Sequence, residues 1–148
     1  MTADQTWIFA VLMEDVPGSL MDVVSAFSYR GVSIESVLGF GRPICGTGLV
    51  ILGISCSEKR AHEIERVVRR LPVVSAAHKL QAPRSPSHRT VLIEQLKGRE
   101  PPHGEGLRFL PLTNEWTLIT GPEPDVRRFL RGSIDRGEVG KHVEVLIA

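Results

Sequence analysis

The sequence has little of what marks several common protein classes. Its only two cysteines, Cys45 and Cys56, exclude a framework of several disulfides, and they do not form a CxxC motif. No apolar run approaches the ~20 residues that a membrane-spanning helix needs, and no basic segment precedes an apolar stretch near the N-terminus. We therefore expect a soluble, cytoplasmic protein.

A surplus of charge is also missing. The chain carries 18 Lys and Arg against 17 Asp and Glu, a formal net charge of +1, and neither half has a basic excess. Proteins that bind nucleic acids through phosphate contacts need such an excess, so we expect a protein or a small molecule as the partner. With 42% hydrophobic residues, the 148-residue chain is expected to fold, as one medium domain or two small ones.

Residues 1–82 carry the pattern of a βαββαβ unit. The apolar run at 7–13 predicts a strand that is buried on both faces or central in a sheet. A helix follows, with Pro17 in its first turn and Gly31 placed for a left-handed C-terminal cap. Its apolar stripe consists of Leu20, Val23, Val24 and Phe27. Strands at 32–40, 47–55 and 73–80, and a helix at 58–71 with Ser57 as N-cap, complete an α+β, ferredoxin-like order.

The rest of the chain predicts a second, truncated ferredoxin-like unit at 89–148, joined to the first by a Pro/Ser linker at 83–88. Strands are expected at 89–97, 107–112, 115–120 and 142–147, and a helix at 122–134 with one apolar face. That face consists of Val126, Phe129, Leu130 and Ile134. Residues 98–106 contain two adjacent prolines and three glycines, so they cannot form a regular helix. The second unit is therefore an internal repeat that lacks its first helix.

Two stretches of the first unit resemble a known family. The segments VLMEDVPGSL at 11–20 and FSYRGVSIES at 27–36 are similar to ACT domains, and more narrowly to the small regulatory subunit of acetolactate synthase. In the second unit, WTLITG at 116–121 followed by Asp125 and Phe129 is similar to the strand, Thr-Gly and helix segment of that subunit. The chain departs from the family pattern at Asp15 and Ser33, where the family usually has asparagine.

The resemblance implies a non-catalytic regulatory subunit in branched-chain amino acid biosynthesis. Such a subunit binds a branched-chain amino acid between the ACT domains of a homodimer and modulates a catalytic large subunit. Thiamine diphosphate and Mg²⁺ would belong to that partner, and no cofactor is expected in this chain. The alternative is a stand-alone ACT-domain sensor of an amino acid or small molecule without a catalytic partner. An enzymatic role rests only on fold analogy.

The turn between the first strand and the first helix is the best candidate for a ligand site. A helix N-terminus offers unpaired N–H groups to a ligand carboxylate, here from the backbone of Gly18, Ser19 and Leu20. Asp15 could accept a hydrogen bond from an α-ammonium group. In the plainer interpretation, Asp15 only complements the helix dipole and Gly18 only turns the chain. The resemblance adds three residues of a neighbouring chain to the pocket: Ser33, Ile34 and Glu35.

No motif predicts catalysis or metal binding. The segment beginning at His62 lacks the second histidine of HExxH, and the five histidines have no ligand spacing. Cys45, near the predicted hairpin turn, is expected to be a small buried or loop thiol, with a reactive exposed thiol as the alternative. Arg66, Arg69 and Arg70 are expected to form a solvated helix face, with an anion-binding patch as the alternative. We therefore expect neither catalytic residues nor a metal site in this chain.

Overall fold

The computed structural model describes residues 4–41, 47–82, 88–96 and 106–145. They divide into two units, the first ending at Ala82 and the second following it. Each unit has a four-stranded antiparallel sheet, and the described residues contain three helices. This is the α+β, ferredoxin-like arrangement that the sequence predicts. No helix in the described ranges is long and apolar enough to cross a membrane.

The first unit has the predicted βαββαβ order. Its elements are β1 (Gln5–Met13), α1 (Ser19–Ser28), β2 (Ile34–Phe40), β3 (Gly48–Cys56), α2 (Glu58–Arg69) and β4 (Val74–Ala82). The strands lie in the order β2-β3-β1-β4, so β2 and β4 are the two edges. Successive side chains of a strand point to opposite faces. The consecutive residues Ile8 and Phe9 of β1 are both fully buried. The continuous apolar run therefore correctly predicted a central strand with two buried faces.

Helix α1 begins later than its apolar pattern predicts. Gly18 is the N-cap, so Pro17 precedes the helix and does not lie in its first turn. The predicted stripe is wrong at Leu20, which is 46% exposed. The buried face instead consists of Ser19, Val23, Ala26 and Phe27. Phe27 packs edge-to-face on Phe9, with ring centroids 5.2 Å apart, and this contact fixes how the helix is rotated on the sheet.

The caps of the first unit follow the sequence more closely. The Ser57 hydroxyl accepts a hydrogen bond from the Arg60 amide, which confirms Ser57 as the N-cap of α2. Gly31, just after α1, has a φ of +69°, as predicted for a left-handed glycine. The buried positions of α2 are Ala61, Ile64 and Val68, with Val67 and Leu71 packed at the margin.

The second unit repeats the strand order of the first. Its elements are β5 (His88–Gln95), β6 (Arg108–Pro111), β7 (Trp116–Pro122), α3 (Glu123–Asp135) and β8 (Val139–Val145), in the sheet order β6-β7-β5-β8. On α3, Val126 is buried as predicted, but Ile134 is 41% exposed and Ser133 is buried in its place. The predicted helix-free segment at 98–106 lies outside the described residues except for Gly106, and so does Cys45.

Candidate functional site

Three hydrogen bonds hold the turn between β1 and α1 from two sides. On the β3 side, the Thr47 hydroxyl donates to the Met13 carbonyl at 2.7 Å. On the β4 side, the Glu14 amide donates to the Val73 carbonyl at 2.9 Å, and the Ser75 hydroxyl donates to the Leu12 carbonyl at 3.2 Å. The turn is therefore tied to both neighbours of β1, and a ligand would meet a site that is already ordered. Sequence reasoning did not identify Thr47 or Ser75, because only strand register brings them here.

Gly18 gives this turn its shape. Its φ of +91° lies in the left-handed region, where a side chain strains the backbone. A Cβ added there would meet no atom within 4 Å, so the backbone conformation, and not lack of space, is what requires glycine. The space in front of the turn is open for a ligand to approach the main chain.

The helix N-terminus at Gly18 keeps free donors. No side chain caps it. The Ser19 amide, one of the three predicted donors, is already used, because it donates to the Val16 carbonyl at 3.2 Å. The amides of Leu20 and Met21 find no acceptor within the described part of the chain. These two N–H groups, together with the helix dipole, favour an anionic group at this position.

The Ser19 hydroxyl is an unexpected member of the site. Ser19 is 2% exposed, and its Oγ has no hydrogen-bond partner among the described residues. Buried hydroxyls are normally paired, so this unpaired one, directly behind the turn, is an exception. The sequence assigned only the backbone of Ser19 to the site. A serine at the first helical position and a serine that caps a helix look alike in sequence, so no local signal distinguished them.

Three carboxylates surround the same turn. Glu14 and Asp15 are exposed before the helix, and Asp22 lies in its first turn. None of the three forms a salt bridge within the described ranges. The turn therefore offers N–H donors for a carboxylate and, beside them, acceptors for an ammonium group. That pairing of charges suits an α-amino acid.

The remaining predicted residues, 33–35, lie at the other end of the sheet. Ile34 pairs with Ile54 of β3, which pairs with Trp7 at the start of β1. The turn follows Met13, six residues further along β1, or about 20 Å at the usual strand rise. A single chain therefore does not bring the two groups together. Ser33 and Glu35 are exposed, whereas Ile34 packs against the apolar core.

Exposed apolar side chains lie near the β1–α1 turn and on the edge strand β2. Around the turn these are Val16, Leu20 and Met21, which are 42–66% exposed. Val37, at the middle of the edge strand β2, is 48% exposed. Apolar side chains on an uncovered edge strand are an unfavourable surface for a monomer in water.

Metal ligands and reactive nucleophiles do not form a site among the described residues. No group of three or more His, Cys, Asp or Glu that could hold a metal is found among the described residues. Burial raises the pKa of the Cys56 thiol, with Asp4 adding to the shift, so this cysteine is a poor nucleophile. Arg66, Arg69 and Arg70 are exposed, as expected for a solvated helix face, and the Arg69 guanidinium also donates to the Ala77 carbonyl.

No protein-family model matches the sequence, and no curated protein matches it. Among solved structures, the chain is similar to the acetolactate synthase small subunit of Thermotoga maritima, at 17% identity over 95% of this chain and 93% of that chain, with a TM-score of 0.48. It is similar to the ligand-free regulatory subunit of aspartate kinase from Thermus thermophilus, at 14% identity over 88% and 92%, with a TM-score of 0.42. It is also similar to a homoserine dehydrogenase from Thiobacillus denitrificans, at 15% identity over 54% of this chain, with a TM-score of 0.46, but it spans only 18% of that enzyme.

Proposed function

We propose that the chain is a non-catalytic regulatory subunit that binds a branched-chain amino acid at an interface between two ACT-type units. Its partner would be the thiamine-diphosphate-dependent catalytic subunit of acetolactate synthase. The sequence resemblance at 11–36 supports the family assignment. The observation that carries the ligand site is the ordered β1–α1 turn, with its left-handed Gly18, free helix amides and unpaired Ser19 hydroxyl.

Pairing of two β2 strands would complete this site. If two copies of β2 pair antiparallel about a twofold axis at Val37, the midpoint of the strand, Ile34 of the partner subunit lies beside Phe40. Phe40 pairs with Leu49, and Leu49 pairs with Leu12, one residue before the end of β1. The pairing therefore carries Ser33 and Glu35 of the partner subunit to the end of the sheet that bears the turn.

The two edges of the sheet differ in a way that favours β2 as the interface. On β4, the Arg69 guanidinium donates two hydrogen bonds, of 3.1 and 3.0 Å, to the Ala77 carbonyl. These bonds occupy an edge acceptor that an added strand would need. Within the described residues, no side chain hydrogen-bonds to the backbone of β2. The open edge, with Val37 exposed, is therefore the one available for pairing.

In the proposed complex, each part of the amino acid meets a matching group. The α-carboxylate accepts hydrogen bonds from the Leu20 and Met21 amides. The α-ammonium group donates to Asp15 or to Glu35 of the partner subunit. The exposed side chain of Val16 offers an apolar contact for the aliphatic side chain of the ligand.

Regulation then follows from linkage. A ligand that contacts both copies binds the dimer better than the monomer, so it stabilises that assembly. The catalytic subunit responds only if it too distinguishes the two states, and the coupling between effector and partner is reciprocal. All bond-making chemistry would lie on the thiamine diphosphate of the partner, and this chain would supply binding and transmission.

Calorimetry and sedimentation of matched variants test the site. We expect L-valine, L-leucine or L-isoleucine to bind the wild type, and Gly18→Asp, which adds a carboxylate in front of the helix amides, to weaken binding by at least about tenfold. Val37→Lys places two like charges opposite each other on the twofold axis, so it should yield monomers with weakened binding. Ile134→Lys, a substitution of a similarly exposed aliphatic residue in the second unit, is the control and should change neither property.

Equal affinity in the wild type and both test variants would show that the pocket lies elsewhere. A second experiment tests the partner, by co-purification with an acetolactate synthase catalytic subunit and assay of its activity with and without this chain. Amino-acid binding without association would favour the stand-alone sensor. Failure of both experiments would refute the regulatory proposal as a whole.

A further inference from the structure

The second unit contains a cavity of about 200 Å³ between α3 and the sheet, separate from the β1–α1 turn. Its apolar wall is formed by Val91 of β5 and by Val126 and Leu130 of α3. Pockets for drug-sized ligands measure about 300–1,000 Å³, so this one suits a smaller molecule. Val91 and Val126 are 3% and 2% exposed, so the wall belongs to the packed core of the unit and is not a loose surface.

Comparison of the two repeats explains why this space is empty. In each unit the residue just after the first strand donates its amide to the carbonyl of the residue just before the last strand, from Glu14 to Val73 and from Leu96 to Glu138. Phe9 and Val91 each lie five residues before that donor, so the two positions correspond. In the first unit the Phe9 ring fills the space under the helices and is fully buried. Valine at the corresponding position of the second unit is too small to do so, and the cavity remains.

The position two residues earlier on the strand also has an aromatic side chain in the first unit and none in the second. The first unit has Trp7, which is 5% exposed and lies under the Lys79 ammonium group at 5.6 Å. The second unit has Arg89, whose Nε lies 3.2 Å from a carboxylate oxygen of Glu144. The aromatic contact of the first repeat is thus replaced by an ion pair, and the rim of the cavity carries charge where the first repeat has an indole ring.

The charges around this rim are balanced and partly shared. The Arg89 Nη2 lies 3.5 Å from Glu123, so Arg89 bridges the start of α3 and strand β8. Glu123 also pairs with Arg127, while Glu144 has only Arg89 as an ion-pair partner in the described part of the chain. His142 completes the lining. Two guanidinium groups thus face two carboxylates, so the rim is neutral and a ligand without net charge keeps it neutral.

From this arrangement we propose that the cavity is a second binding site, for a small zwitterion with an aliphatic side chain such as an α-amino acid. The ammonium group pairs with Glu144, the carboxylate pairs with Arg127, and the aliphatic side chain packs on Val91, Val126 and Leu130. Each charged group of the ligand then has a partner of opposite sign at the rim. This site is independent of the proposed regulatory site at Gly18, because it uses a different unit and none of the same residues.

Amide chemical shifts of the full chain test the site with L-leucine as the probe. Leucine should shift the signals of Val91, Leu130 and His142 in a saturable way, whereas 4-methylpentanoate and 3-methylbutylamine, which each lack one of its charged groups, should bind at least about fivefold more weakly. Val91→Phe places the side chain of the first repeat in the cavity and should abolish these shifts. Glu144→Gln should weaken leucine binding about fivefold.

Glu115→Gln is the matched control, because Glu115 is exposed in the turn before β7 and lies outside the cavity lining. It should leave the affinity for leucine unchanged. Unaltered shifts in Val91→Phe, equal binding of 4-methylpentanoate, or no shifts at millimolar leucine would overturn the proposal. If Val91→Phe does not fold, the comparison of Glu144→Gln with Glu115→Gln decides. Signals of residues 18–21 report the proposed regulatory site separately, so either proposal can fail alone.

Discussion

At the scale of single residues, the conformation of Gly18 leads to a prediction about stability. Gly18→Ala forces a Cβ into the left-handed region and should lower the free energy of unfolding by about 1–2 kcal/mol. Gly39→Ala is the control, since a Cβ there also meets no atom within 4 Å but the φ is ordinary. Urea unfolding of both variants measures the difference. Equal stability of the two variants would mean that the turn relaxes at no cost.

A second residue-scale prediction concerns His78 on β4. Burial lowers the pKa of His78 below its ordinary value of 6.5, Arg69 lowers it further, and Glu65 opposes the shift. As the pH falls through 6.5, the unfolded chain therefore takes up this proton before the folded chain does. The unfolded state binds more protons in that window, so the free energy of unfolding falls on acidification.

His78→Gln should remove this contribution. Urea unfolding measured from pH 8 downward should show a shallower loss of stability below about pH 6.5 in the variant than in the wild type. Above that window the two proteins should have the same pH slope. Identical slopes throughout would show that His78 has the same proton affinity in both states.

At the scale of elements, the edge of β4 leads to a prediction about self-association. Arg69→Met removes both hydrogen bonds to the Ala77 carbonyl and exposes an edge acceptor. We expect sedimentation at rising concentration to reveal species larger than those of the wild type. Arg70→Met is the control, because Arg70 is exposed and forms no ion pair or side-chain hydrogen bond within the described ranges. Wild-type behaviour of Arg69→Met would mean that this edge is protected by other means.

The elements also show where sequence patterns were sufficient. Helix α2 was predicted with its N-cap because the Ser57 hydroxyl acts only on the adjacent first turn. Helix α1 was predicted with the wrong stripe, since Leu20 and Val23 fit the helical period as well as Ser19 and Val23 do. The packing of Phe27 on Phe9 chose between them, and this contact joins residues 18 positions apart.

At the scale of the whole molecule, the two units should differ in local stability. The apolar cluster of the first unit includes β1, β3 and both helices, whereas that of the second is smaller within the described chain. We expect amide hydrogens of β1 and β3 to exchange most slowly, and those of the four-residue edge strand β6 to exchange fastest among the strands. Hydrogen exchange read by mass spectrometry or NMR measures this order. Uniform protection across both sheets would contradict it.

The strands of this protein and the turns that end them follow from its sequence. The alternation and runs of apolar residues predicted the strands, the turn residues placed their ends, and the balanced charge argued against nucleic acid. These signals act over a few residues, so no distant contact is needed to interpret them. The turn at Gly18 was found in the same way, from a glycine at the start of a helix.

Only the tertiary structure decided which groups meet. Strand register placed Thr47 and Ser75 against the turn and set residues 33–35 about 20 Å away from it. Packing buried Ser19 without a partner, and it left a cavity at Val91 where the first repeat has Phe9. These outcomes depend on contacts between residues far apart in the chain, and such contacts arise only when the whole unit folds.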